Sequence, residues 1–272
     1  MLHPNKLRTA LLALAMLAVM ATAAQAETKV RWYGHAAFSI VTPSGGVILI
    51  DPWLKAPNNP DKESIAKLGR VDYILITHGH YDHVGNALEI AKQTGADLVT
   101  NSDLARNLIA VEGYPKDKFK SGGSGGATAL PKAGARVTFV DAVHGSDLFL
   151  SKPVEGGAAV IAGGRAAGMV LQIDGGPTIY HTGDTDVFTD MKLIAEFFKV
   201  DLMLACIGGA FTMDPVRAAQ AVEWVNPKQV VPMHYGTFGA LTGTPAQFKA
   251  ALDKRGLGAR MVEIKPGEER AF

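Results

Sequence analysis

Hydrophobic and polar residues alternate with one of two periods along most of the chain: two residues, as in a strand, or about 3.6 residues, as in a helix. Two-residue alternation or a short apolar run predicts strands at residues 30–41, 47–51, 71–77, 98–100, 136–143, 169–181 (a hairpin turning at 174–177), 201–207, 229–233 and 260–264. Helical spacing predicts helices at residues 86–92, 103–111, 186–198, 215–225 and 244–254. A glycine-rich segment, residues 121–126, is expected to be a loop.

The mixture of strands and helices in both halves predicts the α/β class. The run at residues 71–77 is continuously apolar, which is typical of a strand that is covered on both faces. Two packed sheets with helices outside satisfy this pattern. No sharp break in composition divides the chain, so we expect a single domain over residues 27–272.

The amino terminus has the three parts of a secretory signal peptide. Lys6 and Arg8 form a basic region, residues 11–20 are apolar, and Ala24 and Ala26 supply the small residues that signal peptidase requires. The apolar run is too short to cross a bilayer, which takes about 20 residues as a helix. We therefore expect cleavage after Ala26, export to the periplasm and no stable membrane anchor; a retained helix is the alternative.

Composition excludes several classes of protein. Of the 272 residues, 47% are hydrophobic and 19% are charged, so the chain can bury a large core and is not intrinsically disordered. The net charge is +1, and removal of residues 1–26 would leave 25 basic and 26 acidic residues. This balance contains no signal for nucleic-acid binding. The single cysteine, Cys206, excludes an internal disulfide and a cysteine-cluster zinc site.

One short motif contains four potential metal ligands. His78, His80, Asp82 and His83 directly follow the apolar strand that ends near Ile76. Side chains two apart in an extended segment project to the same side, and the later pair can turn toward a second point as the chain enters a helix. Imidazole and carboxylate suit divalent cations such as Zn²⁺, so one loop can serve two ions. The alternative is a surface loop that is rich in histidine by chance.

Three further candidates follow apolar strands. His144, Asp184 and His234 each come at or just after the carboxyl end of a predicted strand. A single histidine at a strand end is usually only a polar terminus, but three such positions on one expected sheet edge support one another. An aspartate suits a bridging position because its two oxygens can bind two ions at once.

These residues resemble the pattern of the metallo-β-lactamase superfamily. The motif His78-x-His80-x-Asp82-His83 is followed in order by His144, Asp184 and His234. Further segments are similar to a small family of metal-dependent hydrolases, which is similar in turn to ascorbate-phosphate lactonase and N-acyl-phosphatidylethanolamine phospholipase D. These segments are Gly34–Phe38, Asp51–Leu54, Gly183–Thr185, Ile207–Met213 and Pro232–Thr237. The resemblance covers nearly the whole chain after residue 26 and implies a four-layer αβ/βα sandwich with a dinuclear site at one edge.

The resemblance also implies which residue does what. It assigns His78, His80 and His144 to a first metal ion, Asp82, His83 and His234 to a second, and Asp184 to the bridge between them. Asn86 replaces a frequent aspartate after the motif, which puts an outer hydrogen bond in doubt but leaves the ligands intact. Cys206 stands where the family often has proline, and we expect it to be a small core residue.

Three residues are candidates to support the ligands from behind: His35, Asp51 and His181. His35 is expected to orient substrate, to support Asp51, or to be only a structural histidine. Tyr235 and Phe211 are expected either to line the pocket or to pack beneath it. Asp82 is also a candidate catalytic residue, as a proton acceptor.

The expected function is hydrolysis of an ester, lactone or phosphodiester by hydroxide that two divalent metal ions activate. Zn²⁺ is the first choice of cofactor, with Mn²⁺ or Fe as alternatives, and the partner is a small-molecule substrate. A redox enzyme with two metal ions and a non-catalytic periplasmic metal-binding protein are the alternatives. His80 argues against the redox enzyme, because that branch has a carboxylate at the corresponding position.

Overall fold

A computed structural model describes residues 26–153 and 159–272. Apart from Ala26, the expected signal peptide lies outside the described residues, so its cleavage stays a prediction. Within the described ranges, no helix has both the length and the apolar character needed to cross a membrane.

The first sheet is built from seven strands. They are β1 (Lys29–Gly34), β2 (Ala37–Val41), β3 (Val47–Ile50), β4 (Tyr73–Leu75), β5 (Asp97–Asn101), β6 (Phe119–Gly122) and β15 (Glu269–Ala271). Their spatial order is β15-β1-β2-β3-β4-β5-β6. The pairs from β3 to β6 are parallel, and the pairs from β15 to β3 are antiparallel.

The second sheet is built from six strands. They are β7 (Ala127–Leu130), β8 (Ala135–Asp141), β11 (Ala167–Ile173), β12 (Thr178–His181), β13 (Leu202–Cys206) and β14 (Gln229–Met233). Their spatial order is β14-β13-β12-β11-β8-β7, and β12, β13 and β14 run parallel. A separate antiparallel hairpin is formed by β9 (Asp147–Phe149) and β10 (Val160–Ala162).

Six α-helices are described: α1 (Tyr81–Val84), α2 (Ala87–Thr94), α3 (Ser102–Ala110), α4 (Met191–Phe197), α5 (Pro215–Val225) and α6 (Pro245–Asp253). The expected cap of α5 is present, since the Asp214 carboxylate accepts hydrogen bonds from the backbone N–H groups of Val216 and Arg217.

Alternate residues of the central strands face two different cores, which produces the layers. In β3, Ile48 and Ile50 pack into the core that the two sheets share, whereas Leu49 packs into a second core. That second core contains Ile90 of α2 and Leu104 of α3. Each fully buried side chain of this size stabilises the fold by roughly 1.5–3 kcal/mol. The α/β architecture of two mixed sheets with helices outside is confirmed.

One predicted helix is shorter than expected because tertiary contacts take the backbone groups at its start. The helix predicted over residues 186–198 begins only at Met191. The preceding residues bond elsewhere: the Asp186 N–H donates to the Val143 carbonyl, and the Thr185 carbonyl accepts from Met213 N–H. These bonds fix the segment that follows Asp184 instead of allowing a helical turn there.

The last predicted strand and the start of the glycine-rich loop were also predicted wrongly. Residues 260–264 form no strand beyond a single bridge between Met261 and Val230, and the last strand is β15. All three residues of β15 are exposed, so no apolar pattern marks it. The loop expected at residues 121–126 begins two residues later than predicted, because β6 extends to Gly122 beside β5.

Candidate metal centre

In the first sheet, three segments that carry site residues leave from the same edge. Strands β1 and β3 both run antiparallel to β2, and β3 runs parallel to β4. The carboxyl ends of β1, β3 and β4 therefore lie together. His35 follows β1, Asp51 follows β3, and residues 77–83 follow β4.

In the second sheet, the other three candidates meet at one edge for the same reason. Strands β8 and β12 both run antiparallel to β11, and β12 runs parallel to β14 through β13. His144, Asp184 and His234 come after the carboxyl ends of β8, β12 and β14. The His234 N–H donates to the His35 carbonyl at 2.9 Å, which ties the two sheet edges together.

Three imidazole nitrogens converge to form a first ligand group, defined as His78, His80 and His144. His80 Nδ1 lies 3.0 Å from His78 Nε2 and 3.3 Å from His144 Nε2. Ligand nitrogens about 2.0–2.1 Å from a tetrahedral zinc ion lie about 3.3–3.4 Å from one another. The spacing of this group thus matches one cation with three nitrogen ligands. His78 is fully buried, whereas His80 and His144 are partly exposed.

A second ligand group is defined as Asp82, His83 and His234, and Asp184 lies between the two groups. Asp184 Oδ2 is 2.9 Å from His234 Nε2, 3.3 Å from His83 Nε2 and 3.6 Å from His144 Nε2. The carboxylate thus approaches nitrogens from both groups, as a bridging ligand must. All seven ligands expected from the sequence are brought together.

Several buried polar atoms of these residues lack a hydrogen-bond partner among the described residues. They are His83 Nε2, Asp184 Oδ1 and both ring nitrogens of His234. The short contacts between His83 or His234 and Asp184 do not have the geometry of hydrogen bonds. A buried polar atom without a partner costs about 1–3 kcal/mol. Divalent cations would remove this cost, so the residues present fit metal ions.

Asp51 and Thr77 fix how two of the histidines point. Asp51 Oδ2 accepts from His83 Nδ1 at 2.7 Å and from the Thr77 hydroxyl at 2.7 Å. Because the Thr77 proton goes to Asp51, its oxygen accepts from His78 Nδ1 at 3.0 Å. The Nδ1 proton of each histidine is therefore committed to a partner, and Nε2 is the ring atom that faces the centre of the site, which is how carboxylates and hydroxyls orient metal-binding imidazoles.

His35 lies against the second ligand group but uses both of its ring nitrogens elsewhere. Its Nε2 donates to Asp82 Oδ2 at 3.0 Å, and its Nδ1 accepts from the Thr237 hydroxyl at 2.9 Å. Burial and the neighbouring His234 lower the pKa of His35 to about 4, so the ring is neutral. His35 therefore orients Asp82, and no nitrogen lone pair remains to bind a cation.

His181 supports the turn that carries Asp184. Its Nδ1 accepts from the Gly183 N–H at 3.0 Å, and its Nε2 donates to the Ala36 carbonyl at 3.0 Å. Gly183 has a φ of 58°, and a Cβ there would lie 2.7 Å from the Ala167 carbonyl oxygen. Glycine is thus required by both conformation and space.

The electrostatics of the site favour cations bound by neutral imidazoles. Burial lowers the pKa of His78, His80 and His144, which keeps these rings unprotonated and able to bind metal at neutral pH. Burial acts in the same direction on His83, but the charges of Asp184 and Asp51 outweigh it and raise the pKa. The position between these two carboxylates therefore stabilises positive charge.

Asp82 is held as a carboxylate. Burial acts to raise its pKa, but the hydrogen bond from His35 and the neighbouring positive charge of His83 together outweigh burial and lower the pKa to about 2. Its side chain is 13% exposed, so it remains in contact with solvent at the mouth of the site.

Backbone strain concentrates at the same place. Five non-glycine residues have positive φ in the described part of the chain, and three of them are His35 (51°), Asp51 (44°) and His234 (56°). Such conformations are unfavourable for L-residues and persist where surrounding contacts enforce them, frequently at functional sites.

Two supporting residues were not predicted to have a role. Thr77 and Thr237 were recognised only as parts of motifs, and the contact that each makes depends on another strand. The position of Thr77 directly before His78 is the only signal that the sequence offers.

Of the two aromatic residues that were candidates to line the pocket, Tyr235 packs on Trp32 with ring centroids 5.4 Å apart, while Phe211 is 61% exposed.

Comparisons with known proteins agree with this geometry. A family model for the β-lactamase superfamily domain matches residues 47–235. A UPF0173 metal-dependent hydrolase from Anaeromyxobacter sp. (strain K) is 50% identical over 252 residues, covering 92% of this chain and 89% of the relative. One from Thermodesulfovibrio yellowstonii is 44% identical over 262 residues, covering 95% of this chain and 97% of the relative.

A similar solved structure is that of Igni18, a metallo hydrolase from the archaeon Ignicoccus hospitalis. It has a TM-score of 0.78 and 31% sequence identity, covering 91% of this chain and 99% of Igni18. The expected resemblance to the metallo-β-lactamase superfamily and the four-layer sandwich are thereby confirmed, and the chain is an enzyme, a metal-dependent hydrolase. On the family match and the identity to its relatives, the chain belongs to the UPF0173 metal-dependent hydrolases of the metallo-β-lactamase superfamily.

Proposed function

We propose that this hydrolase uses two divalent metal ions, with Zn²⁺ as the first choice, to cleave an ester, lactone or phosphodiester. The observation that carries the proposal is the pair of ligand groups on either side of Asp184. His78, His80 and His144 would hold the first ion, Asp82, His83 and His234 the second, and Asp184 would bind both. Nitrogen and carboxylate ligands without cysteine suit zinc, manganese and iron.

The bound cations would supply Lewis acidity, which lowers the pKa of water from about 15.7 towards 7 and polarises the electrophilic centre of the substrate. The protein residues contribute orientation and proton transfer. Asp51 and Thr77 hold the imidazoles of His83 and His78, so the ligand positions are set before substrate arrives.

Asp82 is the proposed proton acceptor. Its carboxylate is ionised at neutral pH, lies at the partly exposed mouth of the site and is fixed through Oδ2 by His35. A proton taken from the attacking water by Asp82 would be returned to the leaving oxygen as the scissile bond breaks.

Family membership favours hydrolysis over the two alternatives from the sequence, a redox enzyme and a non-catalytic metal-binding protein. The exported location is also proposed, on the basis of residues 1–26 alone. It is tested by fractionating cells that express the full chain and determining whether the mature protein begins at Glu27.

The experiment for the catalytic proposal combines metal analysis with an activity panel. Protein loaded with Zn²⁺, Mn²⁺ or Fe²⁺ is assayed for bound metal per chain and for turnover of esters, lactones and a bis-aryl phosphodiester. We expect two ions per chain and turnover in at least one substrate class. Binding of a single ion would contradict the dinuclear site. Oxygen consumption by the iron form without hydrolysis would contradict the reaction.

Asp82→Asn separates proton transfer from metal binding. We expect the variant to lose about 10²–10⁴-fold in kcat, the range typical of a general acid–base residue. A variant that retains two ions and normal kcat would falsify the role of Asp82.

A further inference from the structure

Four aromatic side chains form a continuous line from the ligand groups to the surface, here called the aromatic line: Phe238, Trp53, Tyr81 and Phe149. The ring centroid of Trp53 lies 5.8 Å from that of Phe238 and 5.8 Å from that of Tyr81. The ring centroids of Tyr81 and Phe149 are 5.9 Å apart. At the inner end, Trp53 and Phe238 contact the ring of His35, at 5.3 and 5.6 Å. His35 in turn bonds Asp82, so the line starts one residue from a proposed ligand.

The outer half of the aromatic line is open to solvent. Tyr81 is 51% exposed and Phe149 is 50% exposed, although each ring contacts the other edge to face. Single exposed apolar residues are common on protein surfaces, but contiguous exposed rings beside a site are typical of ligand contact. Aromatic rings contribute large apolar area with few rotatable bonds, which suits them to binding.

A groove of about 570 Å³ continues from these two rings. Tyr81 and Phe149 line it, and its other apolar lining residues are Val84, Leu88, Leu108, Leu148 and Leu150. Tyr81 belongs to α1, which also carries Asp82 and His83. A substrate whose reacting bond lies at the ligand groups could therefore extend along the aromatic line into this groove.

The charges in the groove do not favour an anion. Its charged lining residues are Lys92, Glu89 and Glu112, and Lys55 pairs with Glu89 at 2.8 Å, so the positive and negative charges balance and no excess of positive charge is available to an anion. In a second groove of about 350 Å³, beside Val143 and Phe211, carboxylates outnumber cations. There Arg217 is the cationic lining residue, against Asp186 and Asp214, and Arg217 pairs with Asp186.

We propose that the aromatic line and its groove bind an uncharged aryl or alkyl group of the substrate, next to the bond that is cleaved. This inference rests on the proposed function, which it narrows to esters or lactones with an apolar substituent, as opposed to phosphorylated or carboxylated compounds. The rings provide the contact area, and the balanced charges around the groove give an anion no net attraction.

The kinetic test uses zinc-loaded protein and three methyl esters that share one leaving group: methyl phenylacetate, methyl acetate and monomethyl succinate. Proton release is followed with an indicator, and each rate is divided by the rate of hydroxide-catalysed hydrolysis. We expect kcat/KM to be at least tenfold higher for the phenylacetate than for the acetate, and lowest for the anionic succinate.

Phe149→Ala removes the outer ring without touching a proposed ligand. We expect it to raise KM for methyl phenylacetate at least fivefold with little change in kcat. The kcat/KM for methyl acetate should stay the same. The matched control is Phe197→Ala, which removes a ring that is 75% exposed on α4 and lines a different groove. The control variant should have the same kcat and KM as the wild type for all three esters.

A binding measurement separates this inference from the proposed reaction. Saturation-transfer NMR with phenylacetamide, a neutral compound that is not an ester, should show binding to the wild type and to Phe197→Ala but not to Phe149→Ala. Acetamide should not bind. Phenylacetamide binding without any ester turnover would support the groove while contradicting the hydrolysis of esters. Ester turnover with no preference for phenylacetate, or with the succinate preferred, would overturn the groove and leave the hydrolase intact.

Discussion

The two ligand groups on either side of Asp184 are built differently. In the second group His83 and His234 are buried, and a carboxylate, Asp51, accepts the proton of His83 at 2.7 Å. In the first group His80 and His144 are partly exposed, and a neutral hydroxyl, that of Thr77, supports His78 at 3.0 Å. Hydrogen bonds to a charged group are about twice as strong as those between neutral groups. The histidines of the second group are thus the more deeply buried and the more firmly supported, whereas Asp82 of that group reaches solvent, as His80 and His144 of the first group do.

The largest effect is expected from the residue that the two groups share. Asp184→Asn removes a charge next to nitrogens of both groups, so we expect at most one ion per chain and a loss of kcat/KM on the order of 10³-fold or more. Metal analysis and steady-state kinetics measure this. Asp190→Asn, an exposed change of the same chemistry, is the control. Retention of both ions would contradict a bridging role.

A second prediction tests whether the supports are unequal. Asp51→Asn keeps a residue type that tolerates the φ of 44° but removes the charge behind His83. We expect affinity for one of the two ions to fall about 10–100-fold. Thr77→Val should weaken metal binding less than tenfold. Competition with a chromophoric chelator measures both, and an equal or larger effect of Thr77→Val would reverse the comparison.

A third prediction concerns the contact of His35 with the second group. His35→Asn, which tolerates the left-handed backbone, should lower kcat about tenfold with both ions retained, because Asp82 loses its orienting donor. Thr237→Val should have a smaller effect in the same direction. Unchanged kcat would contradict the positioning role. Loss of an ion would mean that His35 is itself a ligand.

The smallest effect is expected at Cys206, below the second group. Its Sγ contacts the Thr185 carbonyl oxygen at 3.6 Å, and burial raises the pKa of the thiol to about 11. We expect Cys206→Ala to keep both ions and to lower stability by about 1 kcal/mol, a shift in Tm of about 2–4 °C. Calorimetry and metal analysis measure this; a missing ion in the variant would show that sulfur takes part in binding.

Strands were predicted correctly where burial requires apolar residues at successive positions. The run at residues 71–77 is apolar because Tyr73 and Leu75 face one core while Ile74 faces the other. The same reasoning failed for β15, whose three exposed residues are held only by pairing with β1. It also failed at residues 186–190, where hydrogen bonds from distant segments replace the helical turn that local spacing favours.

The proposed ligands and their order along the chain follow from the amino-acid sequence, because metal chemistry needs particular side chains at strand ends. The family match and its fold follow from the same residues. Tertiary structure alone decided the supports and the surroundings. The bonds from Asp51 to His83 and from His35 to Asp82 join residues 32 and 47 positions apart. The aromatic line likewise joins rings from separate segments, and no local pattern encodes which side chains meet once two sheets close around one core.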